Sequence, residues 1–304
     1  MKIFVTGGAG FIGKNLIKKL QQKHELVIYE NFSNSIEEDF SKLLQGNTSL
    51  IKGDMTDYEL LKKSLKGVDL VIHLAAKIDI SETITHPEIT HKINVEGSLN
   101  LLRSCVENNV KNFIASSSAA VYGNQLTIPV TEQTTPNPVS PYGAEKLCLE
   151  FYAKAFSNAF DMNCLSLRFF NVYGKGQSNA YAGVITKFIK QIQKNEPLTI
   201  FGDGENTRDY IHVDDLIDGI IKSISKIQGK KGKVYNLASG NSISVKDLAE
   251  LMISISKKDL DLNYTKPRDG DLLHSEASIQ LAKDELEFQP ETSLEKGLSN
   301  LINE

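Results

Sequence analysis

The 304-residue chain has no tryptophan, eight prolines and three cysteines, and neither sign of charge dominates. Each shortage excludes something. A formal net charge of −4 leaves no basic surplus for nucleic acid or for an anionic membrane surface. No apolar run approaches the length that crosses a bilayer, and the first apolar strand starts almost at residue 1, so neither a span nor a signal peptide is expected. Cys105, Cys148 and Cys164 are odd in number, widely spaced and free of any CxxC pairing. They read as small thiols of a reducing, cytoplasmic compartment, not as disulfide partners or metal ligands, and no metal site is expected. Internal repeats, low-complexity tracts and linkers are also missing. What remains is ordinary globular composition, 40% hydrophobic and 24% charged, in a chain long enough for one large domain or two coupled ones.

Glycine is concentrated where it matters. The apolar run Ile3-Phe4-Val5 leads into Thr6-Gly7-Gly8-Ala9-Gly10-Phe11-Ile12-Gly13, after which Leu16, Ile17 and Leu20 recur at helical spacing. Strand, glycine turn and helix together present free N–H groups and a positive helix end to a phosphate. Leu26-Val27-Ile28-Tyr29 then forms a second strand ending at Glu30, roughly twenty residues downstream, where an acid accepts from a ribose hydroxyl. Glu30 would repel a 2′-phosphate, which favours NAD over NADP.

Strands continue to alternate with helices, so the expected fold class is α/β: a doubly wound parallel-sheet (Rossmann) domain with a smaller α/β C-terminal substrate lobe. Strands are expected at 50–52, 68–73, 113–118, 165–170, 198–201 and 234–237. Ser35 with Glu38 suggests a capping box, Thr56 a cap for the helix carrying Leu60 and Leu61, and Pro87 the first turn of a long helix through about 108. Ser140-Pro141 is an N-cap and N1 pair; Ser244 with Asp247 and Thr292 with Glu295 open later helices. Asp214 or Asp215 reads as a helix cap, and His73 as a strand-end hydrogen-bonder. The expected domains are 1–170 plus about 207–238 for the cofactor, and about 171–206 plus 239–304 for the substrate.

Tyr142 and Lys146 lie four apart, on one face of the helix that Pro141 opens. A phenol near pKa ten is a poor base at neutral pH, but a neighbouring ammonium and a cationic nicotinamide both favour the phenolate. Ser118, at the end of the fifth strand, is the third member, able to hydrogen-bond the oxygen whose proton Tyr142 moves. These three are the candidate catalytic residues.

At these residues the chain resembles an extended short-chain dehydrogenase/reductase of the NAD-dependent epimerase/dehydratase family, and within it the UDP-sugar 4-epimerases of the UDP-galactose (UDP-glucose) 4-epimerase type. Thr6-to-Gly13, Gly53-Asp54, His73-to-Ala76, Asn94-to-Gly97, Ser116-to-Gly123, Ser140-to-Lys146, Leu167-to-Gly174, Phe201-to-Gly204, Arg208-to-Asp215 and Arg268-to-Asp271 follow in family order over nearly the whole chain. The resemblance implies that Gly7, Gly10, Phe11, Ile12 and Gly13 line a pyrophosphate. Glu30 and Asn31 would hold the adenosine ribose, and Asp54 and Met55 the adenine. Leu74, Ala75 and Ala76 would run beside the cofactor, and Lys146 would bond the nicotinamide ribose while biasing Tyr142. It further implies that Asn171, Phe201, Arg208, Arg268 and Asp271 hold a UDP-sugar, with Ser118 and Tyr142 at the sugar and a homodimer as the assembly.

Departures narrow the chemistry. Dehydratases and decarboxylases that resemble this chain carry an acid at the position of Ala120, often with a second at Ala119; two alanines cannot supply that acid–base help. Simple oxidation and re-reduction at one carbon remains. Ser275, small where relatives carry tyrosine, leaves room for an N-acetyl group. The expected function is therefore a UDP-hexose 4-epimerase, an isomerase with tightly bound NAD. The alternatives are another nucleotide-sugar epimerase or reductase, or a non-catalytic NAD-binding regulator.

Overall fold

The computed structural model describes residues 1–177, 183–267 and 272–303. Its frame is one seven-stranded sheet in which every neighbouring pair is parallel. In chain order the first half runs β1 (Lys2–Thr6), α1 (Phe11–Leu20), β2 (Glu25–Glu30), α2 (Glu37–Ser41), β3 (Thr48–Lys52), α3 (Tyr58–Ser64), β4 (Leu70–His73), α4 (Ile80–Thr85), α5 (Pro87–His91), a π-helical stretch Lys92–Glu96, α6 (Gly97–Glu107), β5 (Asn112–Ser118), α7 (Pro141–Ala159) and β6 (Asn163–Phe169). The remainder is β7 (Asn171–Tyr173), α8 (Val184–Lys194), β8 (Leu198–Phe201), β9 (Thr207–His212), α9 (Val213–Ser225), β10 (Lys231–Leu237), β11 (Ser242–Ser244), α10 (Val245–Ser256), β12 (Leu262–Thr265), α11 (Gln280–Leu286) and α12 (Leu294–Ile302).

The large sheet has the order β10-β6-β5-β4-β1-β2-β3. The order reverses at β1, which opens a crevice between the carboxyl ends of β1 and β4. Side chains alternate across it: Ile3, Val5 and Ile28 pack with Leu16 and Leu216 on one face, Phe4, Val27 and Phe113 with Leu61 and Leu101 on the other. Both faces are covered, which is why these strands read as continuous apolar runs. A third core, with Phe188, Ile192, Leu198, Ile200, Leu248 and Met252, belongs to the second half. There β11-β9-β7 and β12-β8 form two small sheets, and β7, β9, β11 and β12 are strands the sequence did not announce. All three cysteines are free, Cys105 and Cys164 buried. Among the described residues no helix is long and apolar enough to cross a membrane.

Several caps differ from expectation. Ser35 and Glu38 form no capping box; α2 starts after Ile36 without a side-chain cap. Thr56 is engaged by Asp54, to which its N and Oγ1 donate at 2.9 and 2.7 Å, so the cap of α3 passes to Asp57, which accepts from Leu60 N. Thr292 N donates to Asp215, and Ser293 caps α12 instead. The cap of α9 is not an aspartate but His212, whose Nδ1 accepts from Asp214 N at 3.2 Å. Ser140 and Ser244 cap α7 and α10 as expected.

One buried ion pair ties α7 to β6. Arg168 donates from Nε and Nη2 to the two oxygens of Glu150 at 2.8 and 2.7 Å, and Ser117 Oγ donates to the same carboxylate. Both charges are about 4% exposed. Removing one partner of such a pair leaves the other buried and uncompensated, which costs about 3–5 kcal/mol. Arg168→Met is therefore expected to lower stability by that amount in urea unfolding; a loss under about 1 kcal/mol would show that the pair is not what holds α7.

Candidate active site

The crevice at the strand-order reversal is a cleft of about 390 Å³. The first turn of α1 forms its floor. Gly7 has φ +70°, and a Cβ there would lie 2.6 Å from Ala75 N; one on Gly13 would lie 2.5 Å from Gly7 O. Only glycine lets the turn, β4's end and the helix approach this closely. No side chain caps α1 and no acid lies in its first turn, so its leading N–H groups face the cleft free to bind an anion. Glu30 stands on the wall with both oxygens held, Oε2 accepting from Ala9 N and Oε1 from Asn31 N and Phe32 N. A fixed carboxylate keeping spare lone pairs beside an uncapped helix start suits a dinucleotide, its ribose hydroxyls on one and its pyrophosphate on the other.

Most residues expected around the cofactor do line this cleft: Gly7, Gly10, Phe11, Ile12, Gly13, Glu30, Asn31, Met55, Leu74, Ala75, Ala76, Tyr142 and Lys146. Asp54 does not. Its carboxylate is taken up by Thr56 and by Asn31 Nδ2, and Gly53 and Met55 present the wall on either side of it.

Ser118, Tyr142 and Lys146 meet at the far end of the cleft. Gly143 makes this possible, because a Cβ there would sit 2.5 Å from Ala120 O, so the start of α7 can press against the end of β5. Ser118 Oγ accepts from Ala120 N at 3.1 Å, which leaves its own proton to donate. Lys146 Nζ donates to Ser116 O at 2.8 Å and lies 5.9 Å from the Tyr142 ring centre. Burial pushes the Tyr142 phenol up to about 12; the Ser118 hydroxyl opposes this and the Glu145 charge adds to it. Burial brings Lys146 down to about 8 against the pull of Glu145 and Glu150. The expected lowering of the phenol by its lysine is not what the protein alone produces, because a lysine near 8 has lost its proton before a phenol near 12 ionises. His73 is a strand-end hydrogen-bonder: it bonds Thr6 Oγ1 at 2.7 Å and Ser98 Oγ at 2.8 Å, and burial lowers it to about 3, so it stays neutral.

A second cavity of about 680 Å³ adjoins the first, sharing Val172 and Gln177 with it. Asn171, Phe201 and Arg208 line it as expected. Asn171 Nδ2 donates to Asp209 O at 3.0 Å, and Arg208 Nη1 to Thr207 O at 2.8 Å. Ser275 lines neither cavity; it is buried, its N bonded to Thr207 O. Arg268 and Asp271 lie outside the described residues. Sequence reasoning missed Lys187, Lys190 and Lys194, which also line the second cavity. Their helical spacing opposite Ile185, Phe188 and Ile192 reads as a solvated face, and only the fold shows what that face looks onto.

The model of the NAD dependent epimerase/dehydratase family matches residues 3–238. A putative UDP-glucose 4-epimerase of Methanocaldococcus jannaschii is 32% identical over 305 residues, covering 99% of this chain and 97% of that protein. The UDP-N-acetylglucosamine 4-epimerase of Methanobrevibacter ruminantium, solved with UDP-N-acetylmuramic acid, is 35% identical with a TM-score of 0.93, covering 99% of this chain and 97% of that one. The UDP-glucose 4-epimerase of Thermotoga maritima, solved with UDP-glucose, is 33% identical with a TM-score of 0.93, covering 100% and 98%.

With the phenol resting near 12, Tyr142 phenolate should be absent from the nucleotide-free protein below about pH 10 and should form at lower pH once NAD is added. The difference in ultraviolet titration between the parent protein and Tyr142→Phe measures this. An identical tyrosine titration with and without NAD would mean that the cofactor does not tune the phenol.

Proposed function

The chain belongs to the NAD dependent epimerase/dehydratase family, and from that premise we propose that it is a UDP-hexose 4-epimerase, acting on UDP-glucose and UDP-galactose with their N-acetylated analogues as further substrates. The single observation that carries this reading is the meeting of Ser118, Tyr142 and Lys146 at the end of the dinucleotide cleft, with alanine at 119 and 120. No acid stands beside the triad at those two positions to drive an elimination.

NAD, retained through turnover, supplies the acceptor and later the donor of hydride. The chain's own residues do the rest. Tyr142 takes the proton of the sugar 4-hydroxyl while Ser118 donates to the same oxygen, and Lys146 bonds the ribose beside them. Arg208 and Asn171 hold the nucleotide diphosphate, a task suited to a guanidinium, and Phe201 offers a ring for the base. A firm hold on the diphosphate and a loose one on the hexose let the 4-keto sugar turn over. Tyr142 then returns its proton to the carbonyl oxygen as C4 is re-reduced from the opposite face. In this reading residues 1–170 with about 207–238 form the cofactor lobe, and 171–206 with 239–304 the sugar lobe.

We further propose a cytoplasmic homodimer. Large apolar side chains stay exposed on adjacent helices, Ile84 at 60%, Ile89 at 48% and Phe151 at 61%. Large apolar side chains left exposed on helices that pack against one another support an interface there. Phe151→Asp is expected to shift sedimentation from dimer to monomer; an unchanged dimer would place the interface elsewhere.

Incubation with each UDP-hexose tests the activity. C4 inversion is expected without net consumption of NAD, and its absence with every sugar in NAD-loaded protein would overturn the reading. Tyr142→Phe should lose at least about 10³-fold in kcat while still binding NAD. Net oxidation of added dinucleotide would favour a reductase instead.

A further inference from the structure

Glu145 stands three residues after Tyr142 and one before Lys146, yet it points inward and is 6% exposed. Its Oε1 accepts from Thr90 Oγ1 at 2.8 Å and its Oε2 from Asn94 Nδ2 at 2.6 Å. Asn94 is itself bound to the cleft wall: its Oδ1 accepts from Lys77 N at 2.8 Å and its Nδ2 donates to Lys77 O at 2.9 Å. Lys77 follows Ala75 and Ala76 along that wall. A continuous run of hydrogen bonds therefore joins α7 to the strip of backbone beside the cofactor.

A contact between helices does not call for a buried carboxylate. An apolar side chain would fill the space without the desolvation penalty. What the carboxylate adds is direction. Asn94 has two amide protons and both are committed, one to Lys77 O and one to Glu145, so the amide has a single workable orientation. Thr90 and Asn94 are four apart across the junction of α5 and the π-helical stretch, and both face the same carboxylate. π-helical turns recur at functional sites, where they re-aim side chains.

We propose that Glu145 is a positioning residue for the cofactor and for the Tyr142–Lys146 pair: through Thr90 and Asn94 it holds the catalytic helix and the Ala75–Lys77 wall at one spacing. The inference deepens the proposed epimerase reading, resting on it for turnover alone, because NAD binding is read separately.

The experiment compares the full-length parent protein with Glu145→Gln, Glu145→Leu and Asn94→Leu, measuring the NAD dissociation constant, thermal melting and turnover. Gln keeps both contacts: its amide donates to Thr90 Oγ1, whose proton turns to Pro87 O, already 3.2 Å away, and its carbonyl accepts from Asn94. Glu145→Gln should stay within threefold of the parent in NAD affinity. Each leucine variant should weaken NAD about tenfold, and the double variant should be no weaker than the worse single one, since both break the same run. A folded Glu145→Leu within threefold of the parent overturns the proposal, as does Glu145→Gln losing as much as Glu145→Leu. If Glu145→Leu does not fold, Asn94→Ala, which removes the bonds to Lys77 and to Glu145 but leaves the carboxylate on Thr90, decides by the same threefold limit. If the parent inverts no UDP-hexose, the epimerase reading falls while the NAD affinities still decide this one.

Discussion

The site depends on α7 burying a polar face. Tyr142, Lys146 and Glu150 recur four apart and look onto the ends of β5 and β6, where Lys146 binds the Ser116 carbonyl and Glu150 binds Ser117 and Arg168. Charges taken out of water are tolerated only when each meets a partner in good geometry. A helix turned by one residue rotates about 100°, which would strand an ammonium and a carboxylate together. The apolar contacts of α7, through Leu149 and Ala153, would accept small slips; the ionic ones do not. Hence the place of Tyr142 is set by residues one and two turns away from it.

The same burial shapes the electrostatics. It drives Tyr142 up to about 12 and Lys146 down to about 8, both away from the charged forms. The protein alone thus builds a site at rest, with a neutral phenol and a lysine whose proton is only moderately held. A positive ring in the cleft would move the phenol in the useful direction, because an opposite charge favours the ionised form. His73, buried beneath, adds no charge of its own. Its two bonds brace Thr6 at the end of β1 against Ser98 of α6, behind the glycine turn.

The second cavity is positioned by strand alternation. Arg208 and Asp209 are neighbours on β9 and point to opposite faces. Arg208 lines the cavity, while Asp209 is buried and accepts from Ser239 N and Oγ, Gly240 N and Ala277 N. Burial raises Asp209 to about 6, against the pull of those donors. Asp215 does similar work one turn into α9, accepting from Glu291 N and Thr292 N and so tying the approach to α12. Both aspartates join segments remote in sequence, and neither touches the cofactor cleft.

Taken alone, the sequence determined whatever depends on local spacing. The glycine turn, the acid at the end of β2, the Tyr-x-x-x-Lys pair, the parallel sheet and the caps at Ser140 and Ser244 each follow from residues within a few positions of one another. The cap at Thr56 failed because adjacent Asp54 had already claimed its hydroxyl, and the one at Thr292 passed to the next residue, Ser293. Tertiary structure alone decided that Glu145 reaches Asn94 across 51 residues, that the lysines of α8 face a cavity, that Ser275 stands off the wall, and that Tyr142 rests protonated. The reason is physical: a turn or a helix face is fixed by near neighbours, whereas burial and the charges around a group are set by whatever the folded chain brings against it.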